Sequence, residues 1–147
     1  MRKALLVLTL LLIAGGAIAF FVFRFTRKPP PTPIAWRAHV TTLAGDGSPQ
    51  GRDNQQATQA AFSDPFGIAI AADGTIYVAD AGDSNRIRKL TREGVVTTLA
   101  GGNEGFNDGR GAAASFNTPS SLALDSTGNL YVADTSNNRI RKVTPQG

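Results

Sequence analysis

The chain has 147 residues, no cysteine and a formal net charge of +4. This length allows one domain with an appendage, and the absence of cysteine excludes disulfides and thiolate metal sites. Five of the 15 basic residues lie within residues 1–28, which hold no acid, so the remainder carries ten basic against 11 acidic side chains, a net of −1 that does not indicate a nucleic-acid-binding face.

The appendage opens with Arg2 and Lys3, followed by 20 uncharged residues, 4–23, and then Arg24, Arg27 and Lys28. As a helix this run would be about 30 Å long, enough to cross a bilayer core. Two readings compete. Ala17-Ile-Ala19 behind a leucine-rich stretch is similar to a cleavable secretory signal, which would give a secreted protein. Phe20-Phe-Val-Phe23 carries the apolar run past that point, so an uncleaved, single-pass signal anchor over 1–28 is the preferred reading. Both place the rest of the chain outside the cytoplasm. Gly15-Gly16 lacks the Gly-x-x-x-Gly spacing of a close helix contact. Pro29-Pro-Pro-Thr-Pro33 then predicts a stiff linker over 29–39, containing Trp36 and the only histidine, His39. A lone histidine without a patterned partner carries no assigned role.

From Val40 onward the chain repeats itself. Ile-Tyr-Val-Ala-Asp at 76–80 returns as Leu-Tyr-Val-Ala-Asp at 130–134, so Tyr77 and Asp80 recur 54 positions on as Tyr131 and Asp134. Asn85-Arg86-Ile-Arg returns as Asn138-Arg139-Ile-Arg, and Val40-Thr-Thr-Leu-Ala-Gly45 returns from Val96. Self-similarity at this period marks a repeat architecture. The first unit reads as four strands: 67–71; 75–79, β-branched and aromatic; 86–90, alternating among charges; and 95–99. Ala72-Asp-Gly74 and Arg92-Glu-Gly94 supply the turns. The predicted class is therefore all-β, with four antiparallel strands per blade in the manner of a β-propeller, behind an N-terminal transmembrane helix. The repeats run over about 63–101 and 117–147 within a segment 40–147.

The run Phe62…Pro65-x-Gly67-Ile-Ala…Asp73-Gly74…Tyr77-Val-Ala-Asp80…Asn85-Arg86-Ile-Arg resembles the NHL repeat, and 119–141 resembles it again with Ser121 in place of Gly67. The link from Val96 through Asn107-Asp-Gly109 to Pro119 is also similar to connections between blades in that family. The resemblance implies a propeller, commonly six-bladed, that binds other molecules, and two repeats would make only part of one. Phe62 and Phe116 are then expected to plug the space between blades.

Tyr77, Asp80, Asn85, Arg86, Tyr131, Asp134, Asn138 and Arg139 are read as repeat-maintaining positions. A hairpin would bring each Asp to the Arg that opens the next strand. No catalytic, cofactor or metal residues are assigned. Asp46, Asp53 and Asp108 lie near glycines but lack the EF-hand spacing. Arg86, Arg88, Lys89, Arg92, Arg139, Arg141 and Lys142 read as solvated outer strands paired with Asp80, Asp83 and Asp134. The expected role is a non-enzymatic binding or scaffolding module for a protein or glycan, held to the membrane by its N-terminal helix. The alternatives are part of a propeller hydrolase or lactonase, or a truncated product. Residues 40–43 form an outer-type strand ahead of the first blade, while 144–147 match 91–94, where a fourth strand would follow. The expectation is that one copy is not a closed monomer: it is a fragment of a longer propeller, or copies assemble head to tail.

Overall fold

The computed structural model describes residues 38–147 together with two short strands, β1 (Leu11–Ala14) and β2 (Ala17–Phe20). The proline linker, Trp36 and most of the appendage lie outside the described residues. The chain divides into two units, Met1–His39 and Val40–Gly147.

In the first unit β1 and β2 are antiparallel, in register from Leu11 opposite Phe20 to Ala14 opposite Ala17. The described residues of the run 4–23 are these two strands, and the rest of the expected spanning helix lies outside the described residues. Among the described residues no helix is long and apolar enough to cross a membrane.

The second unit holds two antiparallel sheets. In the first, β3 (Asp64–Ile70), β4 (Ile76–Ala81), β5 (Arg86–Leu90) and β6 (Val96–Gly101) lie side by side in chain order. In the second, β7 (Pro119–Leu124), β8 (Leu130–Asp134) and β9 (Arg139–Val143) follow the same order. Both innermost strands start earlier than their hydrophobic pattern predicts, at the residue before the proline or at the proline. Both carry a bulge just after it, between Pro65 and Ile68 and between Pro119 and Ser121. An edge strand tolerates a proline, and the bulge absorbs the lost ladder bond. The hairpin turns are as expected: Gly74 N–H donates to Ala71 O at 2.9 Å and Gly94 N–H to Thr91 O at 3.0 Å. Gly74 has φ +85°, a conformation that side-chain-bearing residues rarely adopt.

The core lies between the sheets. Tyr77, Ala79, Ile87 and Ala100 of the first pack with Leu130, Val132 and Val143 of the second and with Ala114 and Phe116 of the link between them. At β3 the approach is close: a Cβ on Gly67 would come within 2.7 Å of Ser121 Cα and 2.8 Å of Ser120 O. A smaller cluster of Ala57, Ala60, Leu90 and Val96, with Ala44, Phe62 and Ile76 against it, covers the far side of the first sheet. Residues 40–43 are not a strand. They carry no ladder, and Val40 and Leu43 are exposed.

Candidate functional site

The polar residues that recur between sheets gather at one node in each. In the first, Asp80 is fully buried at the end of β4. Its Oδ1 accepts from Ser63 N at 2.8 Å and Asp64 N at 3.2 Å, and its Oδ2 accepts from Arg88 Nη1 at 2.9 Å. Arg88 is also fully buried. It donates further to Ala61 O at 2.9 Å, Arg52 O at 2.9 Å and Asp53 Oδ1 at 2.8 Å, and its guanidinium stacks 4.9 Å from the Phe62 ring centroid. Asp53 then closes the node onto β6, accepting from Thr98 N at 2.9 Å and Thr98 Oγ1 at 3.0 Å.

The arginine that reaches Asp80 is thus Arg88, not the expected Arg86. Asp80 stands directly opposite Arg86 in the ladder, and Arg88 is its diagonal neighbour on the same face. A long side chain spans that diagonal. Arg86 turns away to donate to Ser84 O at 3.0 Å and Gly51 O at 3.0 Å. A buried guanidinium between two carboxylates is favourable only when its donors are used, and the loop carbonyls complete the bonding of both Nη groups, while Nε is buried without a partner.

The second sheet repeats the node. Asp134 accepts from Asn117 N at 2.8 Å, Asn137 Nδ2 at 2.8 Å and Arg141 Nη1 at 3.0 Å. Arg141 donates to Ser115 O at 3.1 Å and Asn107 O at 3.0 Å, and stacks 5.3 Å from Phe116. Its other acid is Asp108. Arg139, the expected partner of Asp134, lies over Phe106 at 4.7 Å instead. Asp108 differs from Asp53 in one respect: among the described residues no fourth strand sits beside it. Its side chain is 95% exposed against 45% for Asp53. A cleft of about 830 Å³ runs along the open edge of β9, lined among others by Asp108, Gly109, Arg141 and Val143.

The remaining sequence-selected residues are also placed. Tyr77 is mid-strand and 8% exposed, whereas its counterpart Tyr131 is 40% exposed because no blade among the described residues covers its face. Burial, then the Asp73 charge, pushes the Tyr77 hydroxyl up. Asn85 and Asn138 both take the left-handed conformation, at φ 41° and 52°. Asn85 Oδ1 accepts from Thr118 N at 2.8 Å and so links the two sheets, whereas Asn138 is exposed. Phe116 is buried between the sheets. Asp46 bonds Ser48 and Arg52, and chiefly the Ser48 hydroxyl and backbone hold its carboxyl below the usual range. Asp83 is exposed. Among the described residues no three His, Cys, Asp or Glu side chains gather as metal ligands would. Arg88, Arg141, Asp53 and Asp108 were not singled out as a node by the sequence. Their signal was present, since each recurs in the second copy.

Antiparallel sheets of four and three strands in chain order, packed face to face with β3 and β7 adjacent, are built as blades of a β-propeller. The teneurin NHL domain family matches residues 41–106 and the NHL repeat family matches 116–143. The chain is an NHL-repeat protein carrying two repeats of a propeller. It is 40% identical over 81 residues, or 54% of its length, to the protein suppressor of quenching 1, chloroplastic, of Arabidopsis thaliana. It is 33% identical over 117 residues, or 71% of its length, to NHL repeat-containing protein 2 of Bos taurus. A crystal structure from Bacteroides thetaiotaomicron, described as an auxiliary nutrient binding protein, superposes on 69% of the chain with a TM-score of 0.61 and 28% identity. The chain spans only 8% and 16% of the two relatives and 27% of the solved structure.

Proposed function

We propose that this is a non-enzymatic binding or scaffolding module displayed outside the cytoplasm, with a protein or glycan as ligand. One observation carries the reading: the acids and arginines that recur from blade to blade are spent on one another, Asp80 with Arg88 and Asp134 with Arg141. Residues used this way build the scaffold and leave ligand choice to positions that break the repeat. The nutrient-binding description of the Bacteroides protein supports a binding role. The full chain in detergent, titrated against panels of envelope glycans and proteins, should give saturable binding without turnover. Chelator-sensitive hydrolysis of a lactone panel would overturn the reading.

Display rests on the apolar run 4–23. Paired strands of four residues leave outer N–H and C=O groups open, which water satisfies and hydrocarbon does not. On meeting a bilayer the run is therefore proposed to become a spanning helix that anchors the propeller. High-pH carbonate should leave the chain in the membrane fraction. Release of a chain starting at Phe20 would make the protein secreted instead.

A further inference from the structure

The first blade holds a complete template for what belongs beside β9. There β6 pairs with β5 so that Leu90 faces Val96, Lys89 faces Thr97, Arg88 faces Thr98 and Ile87 faces Ala100. Val96 also exchanges backbone bonds with Asn54, at 2.9 and 3.1 Å, and Thr98 is clamped by Asp53. In the second blade the receiving groups are all present: β9 with Val143, Lys142, Arg141 and Ile140 in order, and Asp108-Gly109 in the place of Asp53-Asn54. The Asp108 carboxylate is bound to Arg141 on one side and open on the other.

A strand with the β6 sequence exists elsewhere in the chain. Residues 40–45, Val-Thr-Thr-Leu-Ala-Gly, are identical to 96–101, and residues 40–43 are exposed and unpaired. Among the described residues they are anchored at the Gly45 end. Gly45 N–H donates to Ala57 O at 2.9 Å, and Ala44 packs on the far-side cluster as Ala100 packs in the core between blades. Residues 40–43 therefore project from the side of the first blade where a preceding blade would stand. That side is open and apolar, with Phe66, Ile68 and Ile70 exposed on β3. The opposite side of the molecule exposes Tyr131 and Ile140, whose counterparts Tyr77 and Ile87 are buried by the second blade.

We infer that β9 and its cleft receive residues 40–45 of a second copy of this chain. Thr42 of one copy donates its N–H and hydroxyl to the free side of Asp108 in the other, as Thr98 does to Asp53. Val40 pairs with Gly109, and Lys142 faces Thr41. The same step seats Tyr131 and Ile140 of one copy on the Ile68 and Ile70 face of the next. The contact is head to tail, so it closes into a ring or grows. Each copy brings two blades, so a closed ring holds an even number. This contact is independent of the ligand that the propeller binds.

The chain has no cysteine, which gives a clean background for cross-linking. Full-length Thr41→Cys and Lys142→Cys chains, mixed in detergent and oxidised, should form a disulfide-linked pair joining 41 to 142. Thr41→Cys mixed with Arg139→Cys, three residues out of register, should not. Thr42→Val and Asp108→Asn should each weaken association at least tenfold by sedimentation, while the far-UV circular dichroism stays unchanged. A chain that sediments as one copy at every concentration, or that cross-links equally in and out of register, overturns the inference. Association insensitive to Thr42→Val and Asp108→Asn also overturns it.

Discussion

Tyr77 and Ile87 of the first blade are buried, while Tyr131 and Ile140, on near-identical strands of the second, stand open. Ile87 is 0% exposed and Ile140 73%. Neither the strand sequence nor the register explains this, since Ala79 faces Ile87 as Ala133 faces Ile140. What differs is the neighbour. The second blade covers one face of the first, and nothing among the described residues covers the matching face of the second. In a repeat fold, burial belongs to the stack rather than to the unit. The polar nodes behave differently. Asp80 and Asp134 are both fully buried, because each is enclosed by its own blade's loop and arginine. The blade thus carries its polar framework with it and borrows its apolar burial from the next blade.

This contrast can be broken most directly at the nodes. Asp80→Ala strips the acceptor from two backbone N–H groups and leaves the fully buried Arg88 with Asp53 alone. Removing one partner of a buried ion pair costs about 3–5 kcal/mol, and Asp53 keeps the expected loss near about 3 kcal/mol. Asp134→Ala leaves Arg141, which retains some contact with water. The expected loss there is about 1–2 kcal/mol, the range for unpaired buried donors. Urea unfolding of the two variants measures the difference, and an equal or reversed order would place both nodes in the same environment.

The apolar pair sharpens it. Ile87→Ala should destabilise the chain by about 2–4 kcal/mol, as deletion from a packed core does. Ile140→Ala should stay within about 0.5 kcal/mol in dilute solution, since an exposed side chain has little packing to lose. If copies stack, the effect of Ile140→Ala grows with chain concentration while that of Ile87→Ala does not. Gly67 and Ser121 give a third, smaller contrast. Gly67→Ala drives a Cβ to 2.7 Å from the Ser121 backbone and should cost about 1–3 kcal/mol. Ser121→Gly, on the uncovered face, should change the melting temperature little.

The repeat spacing, the turns and the order of strands were legible because each depends on local chemistry: Asp-Gly at a hairpin, β-branched and aromatic residues in β4, polar residues at the ends. Phe116 between blades was legible from its place at the end of the link. The partner of Asp80 was not. Arg86 is nearer in sequence and opposite in register, and only the loop carbonyls of Ala61 and Arg52 select Arg88. The exposure of Tyr131 was hidden because sequence identity with Tyr77 says nothing about what stacks on either. The strand at 40–43 was read by its identity to β6, which conveys pairing capacity but supplies no partner. The apolar run was read by its hydropathy alone, and most of it lies outside the described residues.

The smallest expected effect lies in the inner hairpin turns, where the second blade is the better equipped. Asp125 Oδ1 accepts from Thr127 N, Thr127 Oγ1 and Asn129 N at 2.8–2.9 Å, and its Oδ2 accepts from Asn129 Nδ2 at 2.9 Å. These bonds, led by the Asn129 side chain, hold its carboxyl far below the ordinary 3.8. In the first blade Asp73 is also lowered, chiefly by the Thr75 backbone N–H. A carboxyl whose folded pKa lies below its unfolded value stabilises the fold once the pH is above the unfolded value, and that contribution fades as the pH falls toward the folded one. Asp125→Asn should therefore lower the melting temperature slightly at pH 6. The gap to the parent chain should narrow as the pH drops below about 4, the ordinary aspartate range, and close in stronger acid. Asp73→Asn should give the same profile with a smaller gap. A difference for Asp125→Asn that persists unchanged into strong acid would mean that the turn is held by its shape rather than by the charge of the carboxylate.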